Sequence, residues 1–96
     1  MLVVVSYDVA TLTKAGRRRL RRVAKVCKDF GQRVQNSVFE CVVDPDQWAR
    51  LRLQLLDEVE LREDSLRFYF LGSSNRTRVE HHGTKAVRDL EGPLVL

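Results

Sequence analysis

Of the 96 residues only two are cysteine, Cys27 and Cys41. They have neither the paired spacing of a metal knuckle nor a Cys-x-x-Cys arrangement, and both sit in apolar patterns. They therefore read as buried, reduced thiols. No apolar run is long enough to cross a membrane, and no basic region or cleavage site flanks the N-terminal valines, so a cytoplasmic protein with no membrane partner is expected. There is no internal repeat and no low-complexity tract. The most telling shortage is local. From Lys14 to Lys28 there is no acid at all, against eight basic residues.

What is present fits one globular domain. An apolar fraction of 44% and a charged fraction of 31% are ordinary for such a chain. The net charge of +4 conceals the asymmetry, because Lys14 to Asp29 alone carries +7. Solvated helix faces normally mix signs, since opposite charges three or four residues apart attract and like charges repel. A one-signed run of this density focuses positive potential and attracts polyanions. Arg17, Arg18, Arg19, Arg21, Arg22 and Lys25 are thus candidate phosphate contacts, and Arg33 joins them from beyond the helix. Such contacts position a nucleic acid without reading its sequence.

The periodicities give the elements. Leu2 to Asp8 is an apolar strand that ends on an acid. From about Lys14 to Phe30, Leu20, Val23, Ala24, Cys27 and Phe30 recur at helical spacing, with Thr11 or Thr13 as cap and Gly31 as the stop. Arg33 to Val43 reads as two strands meeting at Asn36-Ser37. Asp44-Pro45-Asp46-Gln47 is a capping box that opens a second helix, with Trp48, Leu51, Leu55, Leu56 and Val59 as its stripe and an end near Glu60. Ser65 to Gly72 is a further strand, followed by a turn through Asn75, and Arg78 to His82 a short last one. The order β-α-β-β-α-β plus an extra strand predicts an α+β sandwich of ferredoxin-like type over residues 1–82, with a tail over 83–96.

Two helices cover only one face of such a sheet. The runs Val3 to Val5 and Phe68 to Leu71 are too apolar to be left wet, which predicts a symmetric homodimer packed sheet to sheet. Leu94-Val95-Leu96 would then be available to pair with the other subunit's edge.

Asp8 is the candidate for chemistry. An acid after a strand can simply cap the following helix, or it can hold a divalent cation. One carboxylate is too few for Mg²⁺, but two related by a two-fold axis could share one octahedral ion. His81 and His82 are adjacent in a strand and so point to opposite faces, which argues against a shared ligand site. Tyr7 and Phe39 read as core before they read as base-stacking platforms, and Ser37 as a turn residue with no base to activate it.

Tyr7-Asp8-Val9, the arginine-rich helix, the stretch Gly31 to Cys41 with its Gln-x-Ser-Val-Phe-Glu core, and Asp64 to Tyr69 together resemble the CRISPR-associated protein 2 family. The resemblance covers nearly the whole chain. The tail, from Gly83-Thr84-Lys85 to Glu91-Gly92-Pro93-Leu94, is similar to a subgroup that accompanies one class of multi-subunit interference complexes. The resemblance implies a ferredoxin-like homodimer whose two Asp8 residues face each other and hold Mg²⁺ or Mn²⁺, and a metal-dependent endonuclease on RNA or DNA. It also implies a role in spacer acquisition, in which the dimer bridges a CRISPR-associated integrase while holding duplex DNA. Asp8 matches the family acid, Tyr7, Arg33, Ser37 and Phe39 match the neighbouring pattern, and Arg19 and Arg22 are the chosen matches for its helix arginines. Two alternatives stand beside this: a structural adaptor with no catalysis, and an RNA-binding module of RRM type. For the second, Phe68-Tyr69-Phe70 would be the only trace of stacking aromatics.

Overall fold

The computed structural model describes residues 1–72 and 78–84. Five strands and two helices follow one another as β1 (Leu2–Asp8), α1 (Lys14–Phe30), β2 (Gln32–Gln35), β3 (Val38–Val42), α2 (Pro45–Glu58), β4 (Ser65–Leu71) and β5 (Arg78–Gly83). The strands form one sheet in the order β2-β3-β1-β4-β5, antiparallel at every junction. This is the α+β, ferredoxin-like arrangement expected from the element order, with β5 added outside β4. The turn expected through Asn75 and the tail beyond Thr84 lie outside the described residues.

Local chemistry sets the element ends. Thr13, not Thr11, caps α1, its hydroxyl accepting from the Gly16 amide at 3.0 Å. Asp44 and Gln47 close the reciprocal capping box of α2, with Pro45 at its first turn. That helix ends at Glu58, two residues before the expected limit. Gly31 does follow α1, but in extended backbone (φ −161°) and not in a left-handed cap. Its need is for space: a Cβ there would collide with the Glu40 carbonyl oxygen and lie 2.5 Å from Cys41 Sγ.

Strand parity decides what is buried. Val3, Val5 and Tyr7 of β1, Phe39 and Cys41 of β3, and Leu66, Phe68 and Phe70 of β4 meet Val23, Cys27, Leu51 and Leu55 of the helices in one core. Trp48 packs edge-on against both Phe68 and Phe70, with ring centroids 4.8 and 5.0 Å away. The runs expected to demand a sheet-to-sheet partner are thus half satisfied within the chain. Val3, Val5, Phe68 and Phe70 already lie under the helices, and Leu2, Val4, Tyr69 and Leu71 alternate onto the open face. Both cysteines are free and buried, and burial pushes the Cys27 thiol up to about 12 and the Cys41 thiol to about 11. Among the described residues no helix is long and apolar enough to cross a membrane.

Candidate nucleic-acid and carboxylate site

Asp8 alternates with the buried Tyr7, so it lies exposed on the open face of the sheet, at the end of the central strand. Its cross-strand neighbour is Ser65, and Ser65 in turn pairs with Gly83. The cap of α1 is Thr13, five residues further on, so Asp8 is not the cap of that helix. One row in from Asp8, Ser6 faces Arg67, and Arg67 faces His81. The Arg67 guanidinium donates to His81 Nδ1 and to the Tyr69 hydroxyl, each at 3.4 Å. Burial, and then the Arg67 charge, hold the His81 imidazole below its ordinary range. Among the described residues no three His, Cys, Asp or Glu side chains are grouped to hold a metal ion.

The two histidines separate as their parity requires. His82 turns to the helix side, its Nε2 2.6 Å from Glu80 Oε2, which also accepts from Arg52 Nε at 2.6 Å. Burial pushes the Glu80 carboxyl up, but His82 and Arg52 outweigh it and hold the group below the usual carboxylate range.

The basic residues of α1 fall into distinct groups. Arg17 reaches back to the Thr11 carbonyl at 3.2 Å. Arg18 and Arg21 are exposed and make no hydrogen bond or ion pair with any described residue. Arg22 lies 3.8 Å from Glu58 with its side chain 62% exposed, and Lys25 pairs with Asp29 at 3.4 Å on the surface. Pairs of this kind hold little energy and release readily to a phosphate. Arg19 differs. It turns inward, with its side chain 18% exposed, and its Nε donates to Asp64 Oδ2 at 2.8 Å. A guanidinium held in this way is a structural element, which sets Arg19 apart from the phosphate contacts it was grouped with in the sequence.

At the other edge, Arg33 lies on the helix side of the sheet and stacks over Phe39, 5.1 Å from the ring centroid. Tyr7 is stacked on the same ring at 6.2 Å, and burial pushes its phenol upward. Both aromatics are buried, Phe39 completely. Ser37 sits in the β2–β3 turn, and its carbonyl accepts from the Tyr7 amide at 3.1 Å. Of Phe68-Tyr69-Phe70, only Tyr69 is on the open face, so the aromatic platform that an RRM-type reading needs is absent there.

Asp64 is the residue whose part the sequence conceals. It is the only charged residue buried among those described, with no exposed surface. Its carboxylate accepts from the Ala10 amide (3.0 Å), the Glu60 amide (2.9 Å) and Arg19. Burial pushes it up, but those donors together hold it below the ordinary aspartate range. The available signal was an acid set directly against the start of an apolar strand, a position equally open to a solvated turn.

A ferredoxin-like sheet with an acid at the open end of its central strand, backed by a one-signed basic helix, defines a class of small α+β proteins. The chain belongs to the CRISPR-associated protein Cas2 family, whose profile matches residues 1–79. It is 66% identical to the "CRISPR-associated endoribonuclease Cas2" of Chlorobaculum tepidum, over the full length of both chains. It is 53% identical to the "CRISPR-associated endonuclease Cas2" of Halalkalibacterium halodurans, over 99% of each. The crystal structure of Streptococcus pyogenes Cas2 at pH 6.5 superposes with a TM-score of 0.70, covering 75% of this chain and 87% of that one at 56% identity.

Proposed function

We propose that this chain is a metal-dependent endonuclease that acts as a symmetric homodimer. In the cell, we infer, that dimer is a duplex-DNA-binding scaffold for the CRISPR-associated integrase during spacer acquisition. The observation that carries the reading is the placement of Asp8, a solvent-facing carboxylate at the end of an open sheet face, on a sheet whose other face carries a helix with Arg18 and Arg21 exposed and unpaired among the described residues. Relatives named endoribonuclease and endonuclease support phosphodiester cleavage and leave RNA and DNA both as substrates.

The donor set fits Mg²⁺ or Mn²⁺ only across two copies. One hard oxygen ligand is too few, and among the described residues no ligand group is formed within the chain, so Asp8 would hold the ion together with Asp8 of a second copy. When bound, such an ion would acidify a water and neutralise charge developing on the phosphodiester. The protein's own work is to aim Asp8, through β1 and its pairing with Ser65, and to hold the strand of nucleic acid. Arg17, Arg18, Arg21, Arg22, Lys25 and Arg33 supply that hold, with Tyr7, Ser37 and Phe39 fixing the shape of the β2–β3 end. Asp8 and the outer surface of α1 lie on opposite sides of the sheet, so binding and cleavage are separable.

The test uses RNA and duplex DNA, wild type and Asp8→Asn, with and without chelator. The nuclease reading expects cleavage that is lost in Asp8→Asn and on chelation while binding persists. Metal-dependent cleavage undiminished in a folded Asp8→Asn would sink it. The second reading, a scaffold without catalysis, is favoured by the lack of a grouped ligand set among the described residues, and would be left standing by salt-sensitive DNA binding with no cleavage under any condition.

A further inference from the structure

We infer that Asp64 is the positioning residue that sets the Asp8 strand end and the arginine helix in one rigid frame, with Arg19 as its lever arm. The inference rests on the nuclease and binding reading above and adds a residue to it.

Four segments converge on Asp64. Its side chain receives the amide of Ala10, two residues beyond Asp8, and the amide of Glu60 in the loop that leads into β4. It receives Arg19 from α1 through two nitrogens, Nε at 2.8 Å and Nη2 at 3.3 Å. Its backbone carbonyl accepts the Thr84 amide at 3.1 Å, just past β5. Gly83 makes that last approach possible. It adopts φ +111°, and a Cβ there would lie 2.7 Å from Ser65 Cα. The next residue, Ser65, is the cross-strand neighbour of Asp8. Asp64 therefore grips the chain on both sides of Asp8, through the loop after it and through the strand beside it.

The arrangement is more than a buried ion pair serving stability. A packed apolar pair of the same volume would stabilise as well or better, because charges are costly to bury. What a carboxylate adds is direction: amide, amide and guanidinium each meet a separate lone pair, which fixes the loop over Val9 and Ala10 against the helix. Displacing a reacting group by a fraction of an ångström slows chemistry far more than it weakens substrate binding. Arg19 accordingly acts through Asp64 and not on phosphate.

The experiment compares wild type, Asp64→Asn, Arg19→Gln, Arg19→Lys and the double variant Asp64→Asn with Arg19→Gln. Cleavage of an RNA oligomer with Mg²⁺ is measured well below each melting midpoint, and amide exchange is read by NMR. Asp64→Asn turns two acceptor oxygens into one and sets its NH₂ against other donors. It is expected to lower kcat about tenfold or more with KM within about threefold. Arg19→Gln should do nearly the same, Arg19→Lys should recover part of the loss, and the double variant should be no worse than either single. Exchange at the Ala10 amide should accelerate and the Asp8 resonance should shift. Full kcat in a folded Asp64→Asn or Arg19→Gln, or losses that simply multiply in the double variant, would overturn the inference. If Asp64→Asn does not fold, Arg19→Gln, which keeps the carboxylate, decides by the same criteria. If the wild type cleaves nothing, the nuclease reading is what falls. The frame is then judged on the amides, where an unmoved Asp8 resonance and unchanged Ala10 exchange would refute it.

Discussion

At the scale of single residues, the contrast between Asp8 and Asp64 shows what surroundings do to one side chain. Asp8 is exposed at a strand end, and Asp64 is sealed beneath three donors. Removing one partner of a buried, hydrogen-bonded charge pair costs about 3–5 kcal/mol. Asp64→Ala is therefore expected to lower stability by that order in urea unfolding. The pH dependence has a definite sign. Asp64 and Glu80 are both held below their ordinary values in the folded chain. The stabilisation they contribute is complete above the unfolded values of about 3.9 and 4.3 and is lost as pH falls through the folded ones. Their contribution to the unfolding free energy should thus be constant above about pH 5 and fall below about pH 4, with a shallower fall in a folded Asp64→Asn. His81, held below its ordinary range, adds a separate decline as pH falls through its unfolded value of about 6.5. Acid titration followed by circular dichroism measures both, and equal slopes would disprove the assignment to Asp64.

At the scale of elements, α1 combines two jobs on two faces. Val23 and Cys27 are fully buried, and Leu20, Ala24 and Phe30 pack beside them. Arg18 and Arg21 stand clear on the outside. If these contact phosphates, each Arg→Ala change should reduce the slope of log K against log salt by about one, with no sequence preference. Arg19→Lys should leave that slope intact, since Arg19 is engaged with Asp64. Binding isotherms at stepped salt distinguish the two classes. The helix end carries its own prediction. Gly31→Ala forces a methyl against the Glu40 carbonyl and Cys41, an overpacking expected to cost about 1–3 kcal/mol, seen as a lowered thermal midpoint. Had Gly31 been a left-handed cap, strain in the backbone would be the cause; its extended φ makes the cause steric.

At the scale of the whole molecule, the sheet face opposite the two helices carries apolar side chains. Val42 is 79% exposed and Leu71 40% exposed on it, Leu2 lies between them, and Val4, Tyr69 and Val79 follow in the next row beside Glu40. We propose that a second copy covers this face, which is also what brings two Asp8 carboxylates together. A charge placed there, as in Val42→Asp with Leu71→Asp, should convert a dimer to a monomer in sedimentation equilibrium while circular dichroism stays unchanged. Wild type that sediments as a monomer at high micromolar concentration would refute the shared-ion site along with the dimer. The same face shows why part of the expectation changed. The apolar runs in β1 and β4 look continuous along the chain, yet alternate residues go to opposite faces, so Val3, Val5, Phe68 and Phe70 are already buried.

The element order, the ends of α1, the capping box at Asp44, the one-signed charge of the helix and the acid at the end of β1 are all legible along the chain. Each of these depends on neighbours within a few residues, and periodicity, capping and turn chemistry act over that range. The sequence also placed His81 and His82 on opposite faces, because strand parity is local. That Arg19 turns inward to Asp64 while Arg18 and Arg21 stay outside follows from the packing of α1 against the loop before β4. In the sequence the arginines are equivalent members of one run; the partner of Arg19 lies 45 residues away. The burial of a charge is a property of everything packed around it, and no window along the chain contains that.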